Sequence, residues 1–342
     1  MVPNRELAAD LGGCYRELST SRENAMSITT TLTPIVEGSF VALITPMNAD
    51  GSVDFGGFRT LLEFQEANGT SAVLIMGSTG EVSMLSQKER HQIVIETLRF
   101  RREAGMQYWY GCTGPHTAGT IDYVRHAAAA GADGAIIAAP SYISTSNADI
   151  VEYCLEVADA ANIPIGFYNN PPRVGTDLGV ADILRLAEHP NIAVLKESTT
   201  RVGQIAQLCA ARPDLALMCC CSPNLGLVVP LMALGGHGTA NMTGNILPRE
   251  MATISTPWRN DGDAMACREA WLTNLAMLHF LYSVVNPVAV KTLMGALGLP
   301  AGPLRRPLRP LDAAALKTGM TIASELGLLA RYDYSARPLV SI

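Results

Sequence analysis

Lys196 is the residue best placed for covalent chemistry. The chain holds four lysines, Lys88, Lys196, Lys291 and Lys317, against 21 arginines, so its surface charge is carried by arginine. Lys196 closes the apolar run Ile192-Ala193-Val194-Leu195. A lysine so placed either snorkels to solvent or sits in a pocket with a lowered pKa. In the second case its free amine attacks a ketone, and the resulting iminium is an electron sink that lets an adjacent proton or carbon substituent leave as an enamine forms. Proton transfer then needs hydroxyls nearby, which Tyr168, Ser78 and Tyr142 offer from other strand ends; singly, each suits a plain loop residue equally well. Gly77-Ser78-Thr79-Gly80 has the glycines and hydroxyls of a carboxylate-binding nest, and also those of an ordinary strand-to-helix turn. Arg173, after Pro171-Pro172, suits a second carboxylate or solvates a loop. Glu81 and Glu197, directly after these motifs, are read as structural.

These groups meet only if a scaffold gathers them. After Glu37 the chain repeats, eight times, a short apolar run followed by a longer amphipathic stretch. The expected strands are 39–47, 71–78, 106–114, 134–142, 163–171, 192–199, 215–222 and 236–244. Most are continuously apolar, as in parallel strands buried on both faces. Expected helices at 54–68, 86–102, 117–131, 147–161, 180–189, 201–212 and 225–234 carry apolar residues at three-and-four spacing. The rhythm predicts an α/β fold, a (β/α)8 TIM barrel over 38–258, whose active site lies at the C-terminal ends of the strands. Three further helical stretches, 261–285, 287–297 and 311–329, make 259–342 a C-terminal helical layer packed on the barrel. Residues 1–37 are polar and aperiodic, and are read as an N-terminal arm.

Composition narrows the partners. With 48% hydrophobic residues, a net charge of -6 and no basic run, the chain does not suit nucleic acid or an anionic membrane, and a small molecule is the better expectation. No apolar run is long enough to span a bilayer and the start lacks a secretory pattern, so the expected location is cytoplasmic. Cys219, Cys220 and Cys221 are consecutive and alternate in direction on a strand, so they cannot chelate one metal; no metal and no cofactor is expected, the lysine itself being the electrophilic catalyst.

Taken together, and in this order, the motifs resemble the dihydrodipicolinate synthase and N-acetylneuraminate lyase superfamily of class I, lysine-dependent aldolases. The resemblance runs from about Gly38 to the C-terminus. It rests on Gly38-Ser39-Phe40-Val41-Ala42-Leu43-Ile44-Thr45-Pro46, Gly77 to Glu81, Pro140 with Tyr142, Tyr168-Asn169 with Pro171 and Arg173, Lys196-Glu197, Gly235-Gly236-His237-Gly238, Asn245, and Asn286-Pro287-Val288-Ala289-Val290-Lys291. It implies that Lys196 forms a Schiff base with pyruvate, that Tyr168 moves protons around it, and that Ser78 passes protons. It further implies that Tyr142 is lent to a neighbouring subunit, which makes the expected assembly a homo-oligomer, a dimer of dimers. Thr79, Gly80, Arg173 and Ala240 are the expected substrate-binding residues, with Arg173 holding the carboxylate of an aldehyde partner. The arginine tilts the resemblance toward the synthase branch.

Several positions depart from that branch. Ser222-Pro223-Asn224-Leu225 replaces a serine-glycine-aspartate-aspartate turn, Ser78 stands for a threonine, and Ser141 for a tyrosine. The leading expectation is a carbon-carbon lyase or aldolase on pyruvate, like 4-hydroxy-tetrahydrodipicolinate synthase. A dehydratase or aldolase of 2-oxo-3-deoxy sugar acids on the same scaffold is the alternative, and a non-catalytic 2-oxo acid-binding barrel the third reading. Gln87, Arg90 and His116 occupy positions that lysine-inhibited synthases fill with two histidines and an asparagine. The enzyme is therefore expected to be insensitive to L-lysine, which an inhibition titration checks; submillimolar inhibition would overturn it.

Overall fold

Strands with apolar side chains on both faces persist only between two apolar layers, and the strands of this chain meet that condition by closing on themselves. The structure, a computed structural model, describes residues 36–335 apart from 103, 104 and 144. Eight parallel strands, β1 (Gly38–Ala42), β2 (Ala72–Ile75), β3 (Gln107–Gly111), β4 (Gly134–Ala138), β5 (Ile165–Asn169), β6 (Ile192–Glu197), β7 (Ala216–Cys219) and β8 (Gly238–Asn241), pair in chain order. The barrel closes where β1 meets β8, with Phe40 opposite Ala240 and Val41 opposite Asn241. Inward residues Phe40, Leu74, Trp109, Ile136, Val194 and Met218 fill the barrel. Phe40 and Trp109 meet edge to face, 5.9 Å between centroids. Outward residues such as Val41, Val73, Ile137 and Leu195 join a second core against the helices.

The outer ring comprises α1 (Phe55–Ala67), α2 (Gln87–Leu98), α3 (Thr117–Ala130), α4 (Asn147–Asp159), a short α5 (Pro171–Val174), α6 (Val180–Ala187), α7 (Val202–Ala211), α8 (Val228–Ala233) and α9 (Pro248–Ile254). Local chemistry fixes their starts. Ser86 and Ser146 form capping boxes with Glu89 and Asp149, and Asp54 caps α1 through the Gly57 amide. Beyond lie α10 (Asp261–Thr273), α11 (Leu275–Leu281), α12 (Val288–Ala296), α13 (Ala313–Glu325) and α14 (Leu328–Arg331). No helix among the described residues is long and apolar enough to cross a membrane.

The eightfold rhythm is borne out, but the elements are shorter than expected. Apolarity continues past the strand ends through Met76, Cys220, Cys221 and Met242, all buried without belonging to a strand. There it forms the floor of loops rather than a paired ladder. The stretch expected to be one helix over 261–285 divides at Asn274, whose side-chain amide donates to the Ala270 carbonyl at 2.8 Å while its own backbone leaves the helical region. Asparagine competes in this way for helical carbonyls. Periodicity also misses α5, α9 and α14; the first two begin with proline at their first turn. Of the expected arm, residues 1–35 lie outside the described residues, Val36 is buried at the barrel, and Glu37 pairs with Arg259.

The C-terminal layer is tied to the barrel by a buried ion pair. Lys291 Nζ of α12 lies 2.5 Å from Glu81 Oε1, in the loop after β2, with neither side chain exposed. The second oxygen of Glu81 accepts from the Arg305 amide at 2.8 Å. Breaking such a pair leaves a charge stranded in the interior, at a cost of roughly 3–5 kcal/mol. Glu81→Gln is accordingly expected to lower the urea midpoint strongly, and E81L/K291M to lower it less than either single change.

Candidate active site

β-strand alternation decides which side chains enter the barrel mouth. On β6, Val194 faces inward, so Lys196, two residues on, does too, and Glu197 faces the helices. On β5 the residue opposite Lys196 is Tyr168, which also packs on the inner core. The result is a lysine only 4% exposed whose Nζ lies 4.1 Å from the centre of the Tyr168 ring. Burial pushes the Lys196 amine down to about 8; the Cys220 and Cys221 thiols oppose that shift, and the Arg173 guanidinium adds to it. Burial likewise raises the Tyr168 phenol, which accepts a hydrogen bond from Asn170 Nδ2. The pair therefore offers an amine that is readily neutral and a phenol that keeps its proton.

Both line a cavity of about 340 Å³ at the C-terminal end of the barrel. Ser78 and Thr79 line it as well, and their backbone N–H groups donate to nothing among the described residues. Two free amides with two hydroxyls suit a carboxylate. The loop that presents them is strained at both ends, Met76 and Glu81 each holding left-handed backbone, at φ 60° and 57°. Gly80 lies outside the cavity lining: its amide donates to Gly77, its carbonyl accepts from Thr45 Oγ1 at 2.7 Å, and a Cβ would meet the Leu43 carbonyl at 3.2 Å. Its place is inside the turn.

Arg173, on α5, reaches the cavity mouth and donates from Nη2 to the Asn286 carbonyl at 3.1 Å. Ala240, at the end of β8, lies in the lining. Tyr142 does not: it is fully exposed, with φ 73°, and its phenol serves no site within its own chain. Residues that sequence reasoning did not assign also line the cavity, chiefly Asn170, Ser198, Cys220, Tyr282 and Asn286. Asn286 Nδ2 donates to Thr79 Oγ1 at 2.9 Å, and the Tyr282 hydroxyl lies 3.3 Å from Cys220 Sγ and 3.2 Å from Cys221 Sγ. Asn286 stands in a stretch already singled out by resemblance, whereas Tyr282 falls in what periodicity reads as uninterrupted helix.

Glu197 is held away from the lysine. Its carboxylate accepts from Asn169 Nδ2, Gln204 Nε2 and the amides of Ser198 and Thr199. Burial pushes it up to about 7, and these donors oppose that rise. An adjoining cavity of about 720 Å³ shares Ser78, Tyr168 and Arg173 and extends to Arg90. Arg90 lies 3.5 Å over the Tyr123 ring and donates to the Gly111 and Thr113 carbonyls, while His116 caps α3 through the Gly119 amide. Among the described residues no cluster of three or more His, Cys, Asp or Glu could hold a metal.

Comparison with known proteins agrees with this geometry. The model of the dihydrodipicolinate synthetase family matches residues 35–326. The 4-hydroxy-tetrahydrodipicolinate synthase of Leptothrix cholodnii is 35% identical over 300 residues, covering 87% of this chain and all of the relative. That of Methanococcoides burtonii is 31% identical over 293 residues, covering 86% and 99%. Among solved structures, dihydrodipicolinate synthase from Aquifex aeolicus aligns with a TM-score of 0.79 at 28% identity, over 86% of this chain and 99% of that one. The Acinetobacter baumannii enzyme, crystallised with pyruvate, gives the same TM-score, identity and coverage.

An amine-directed reagent such as trinitrobenzenesulfonate is expected to label Lys196 with a midpoint near pH 8, read by peptide mapping, because burial lowers its pKa. Removing the neighbouring cation with Arg173→Met raises that pKa, so the midpoint should move upward. A midpoint near that of free lysine would refute the neutral-amine reading.

Proposed function

The chain belongs to the dihydrodipicolinate synthetase family of lysine Schiff-base lyases, and from that premise we propose that it joins pyruvate to an aldehyde through Lys196. The observation that carries the proposal is a buried, neutralisable lysine facing a protonated tyrosine in a cavity that also holds two free amides.

The neutral Lys196 amine attacks C2 of pyruvate, and loss of water leaves an iminium. Loss of a proton from C3 moves its bonding pair into the iminium and gives an enamine. The enamine C3 then attacks the aldehyde carbon, the carbonyl π pair goes to oxygen, and that oxygen takes up a proton. Water hydrolyses the new iminium and frees the amine. In this reading Tyr168 exchanges protons at the adduct and Ser78 passes them on, while the Ser78 and Thr79 amides and the Thr79 hydroxyl hold the pyruvate carboxylate. Arg173, at the mouth, takes a second carboxylate or steadies the transition state. Ala240 walls the cavity, and Gly80 shapes the turn rather than binding substrate.

The exposed Tyr142 fits a role in a neighbouring subunit's site, which calls for a homo-oligomer, a dimer of dimers. Dehydration of a 2-oxo-3-deoxy sugar acid would use the same iminium and is the second reading; Leu225, Met242 and Val285 leave Asn170, Ser198, Ser222 and Asn286 as the lining partners for sugar hydroxyls. A non-catalytic barrel would have no use for an unpaired buried lysine, whose desolvation costs stability without return.

Borohydride reduction in the presence of pyruvate, followed by intact-mass and peptide mapping, tests the reading. The expected result is one reduced pyruvate adduct on Lys196, absent from Lys196→Ala. An adduct only with a longer 2-oxo acid would replace pyruvate as the substrate, and no adduct with any 2-oxo acid would sink the mechanism. Tyr168→Phe should retain trapping but lose roughly 10²- to 10⁴-fold in turnover.

A further inference from the structure

The strand alternation that brings Lys196 into the cavity also brings a thiol. Ala216 and Met218 of β7 belong to the inner core, so Cys220, just past the end of that strand, faces the same way, and it lines the cavity. Met218 stands opposite Lys196 and Cys219 opposite Glu197, and the Cys220 amide donates to the Glu197 carbonyl at 2.8 Å. Cys220 therefore follows beside Ser198, one inward position, or about 6–7 Å, nearer the open end than the level of Lys196. A molecule held at Lys196 and reaching toward the mouth passes this sulfur.

The surroundings of Cys220 face a ligand rather than the core. Ser198 Oγ lies in the same lining, buried and without a hydrogen-bond partner among the described residues. A buried hydroxyl left unpaired calls for a polar group from outside the chain. The Tyr282 hydroxyl, 3.3 Å from Cys220 Sγ and 3.2 Å from Cys221 Sγ, holds the sulfur at the cavity wall. Among the described residues Cys220 is the one cysteine in the lining; Cys112, Cys154, Cys219, Cys221 and Cys267 are buried away from it.

We propose that Cys220 is a covalent modification site for 2-oxo acids whose carbonyl is conjugated to a carbon-carbon double bond, captured after they bind Lys196. The inference rests on the Schiff-base reading above and adds a second point of attachment. Lys196 forms the iminium at C2 with loss of water, and the positive nitrogen makes C4 electron-poor. Cys220 Sγ bonds to C4 and gives up its proton to water. The C3=C4 π pair becomes the C2=C3 bond, and the C2=N pair returns to nitrogen as an enamine. C3 then takes up a proton, and water hydrolyses the regenerated iminium. Lys196 is freed and Cys220 keeps a thioether; the net change is addition of S–H across C3=C4, with nothing oxidised or reduced.

The test exposes the full-length enzyme to 2-oxobut-3-enoate, quenches with a small thiol, and follows the rate at each cysteine by peptide mapping. A thioether is expected on Cys220, with pyruvate protecting it. Lys196→Ala should slow labelling of Cys220 roughly tenfold or more, because proximity and activation are both lost, and leave the rates at the other cysteines unchanged, which also shows that the variant folds. Cys220→Ser should lose this thioether while still trapping pyruvate on Lys196. No thioether on Cys220, or one that forms as fast in Lys196→Ala, overturns the proposal. The two readings fail separately: no reduced pyruvate adduct on Lys196 defeats the Schiff base, whereas a normal adduct with Cys220 unmodified defeats only this inference.

Discussion

The ion pair between Glu81 and Lys291 is wholly withdrawn from solvent, and the loop that carries Ser78 and Thr79 depends on it. Burying both charges is costly unless their geometry and remaining hydrogen bonds are satisfied. Here Glu81 takes Lys291 on one oxygen and the Arg305 amide on the other, so a β2 loop, a C-terminal helix and the segment before α13 converge on one carboxylate. The two left-handed residues that bracket the loop, Met76 and Glu81 itself, are held against their intrinsic preference by this convergence. A surface pair could not do this, because exposed ion pairs contribute about 0–1 kcal/mol.

The same type of side chain meets the opposite fate on β6. Lys291 is buried with a carboxylate, which opposes the downward push of burial on its pKa. Lys196 is buried with none, and its amine falls to about 8. What keeps a carboxylate from Lys196 is the pleat of the strand. Glu197 is its immediate neighbour in sequence, and alternation sends it to the other face, where Asn169 and Gln204 receive it. A one-residue slip of β6 would exchange the two, placing an acid in the cavity and a cation among the helices. The register Tyr168 to Lys196 is thus a chemical constraint as much as a packing one.

Much of this was legible in the sequence, because it follows from short-range patterns. Eight apolar runs gave eight strands, and a lysine ending one of them in an arginine-rich chain marked the amine. Less legible was whatever depends on where burial stops being strand pairing. Met242 and Cys220 are as apolar as strand residues, yet they line the cavity from loops. Tyr282 was hidden because the helix break at Asn274 is a hydrogen-bond event, not a change in hydropathy. Gly80 carried the right residue type for a binding nest, but the close approach of Leu43 and Thr45 turns it inward, a contact between segments 35 residues apart that no local pattern contains. Sequence likewise places Tyr142 at a strand end without showing its exposure, since exposure is decided by the turn it stands on.

Asn286 shows how the parts become one site. Its side chain donates to Thr79 Oγ1, and its backbone carbonyl accepts from Arg173, so the group nearest the free amides and the cation at the mouth are referred to a single residue of the C-terminal layer. Five residues on, Lys291 anchors that layer to the same β2 loop. The spacing between the Thr79 and Arg173 ends of the cavity is therefore set outside the barrel strands. A barrel can keep its eight strands and its lysine while the segment from Tyr282 onward re-spaces the groups around them, since Tyr282, Val285 and Asn286 line the cavity from that segment. The placement of Lys196 is fixed by the pleat of β6; the rest of its cavity is shaped by the loops and by the layer that Lys291 holds in place.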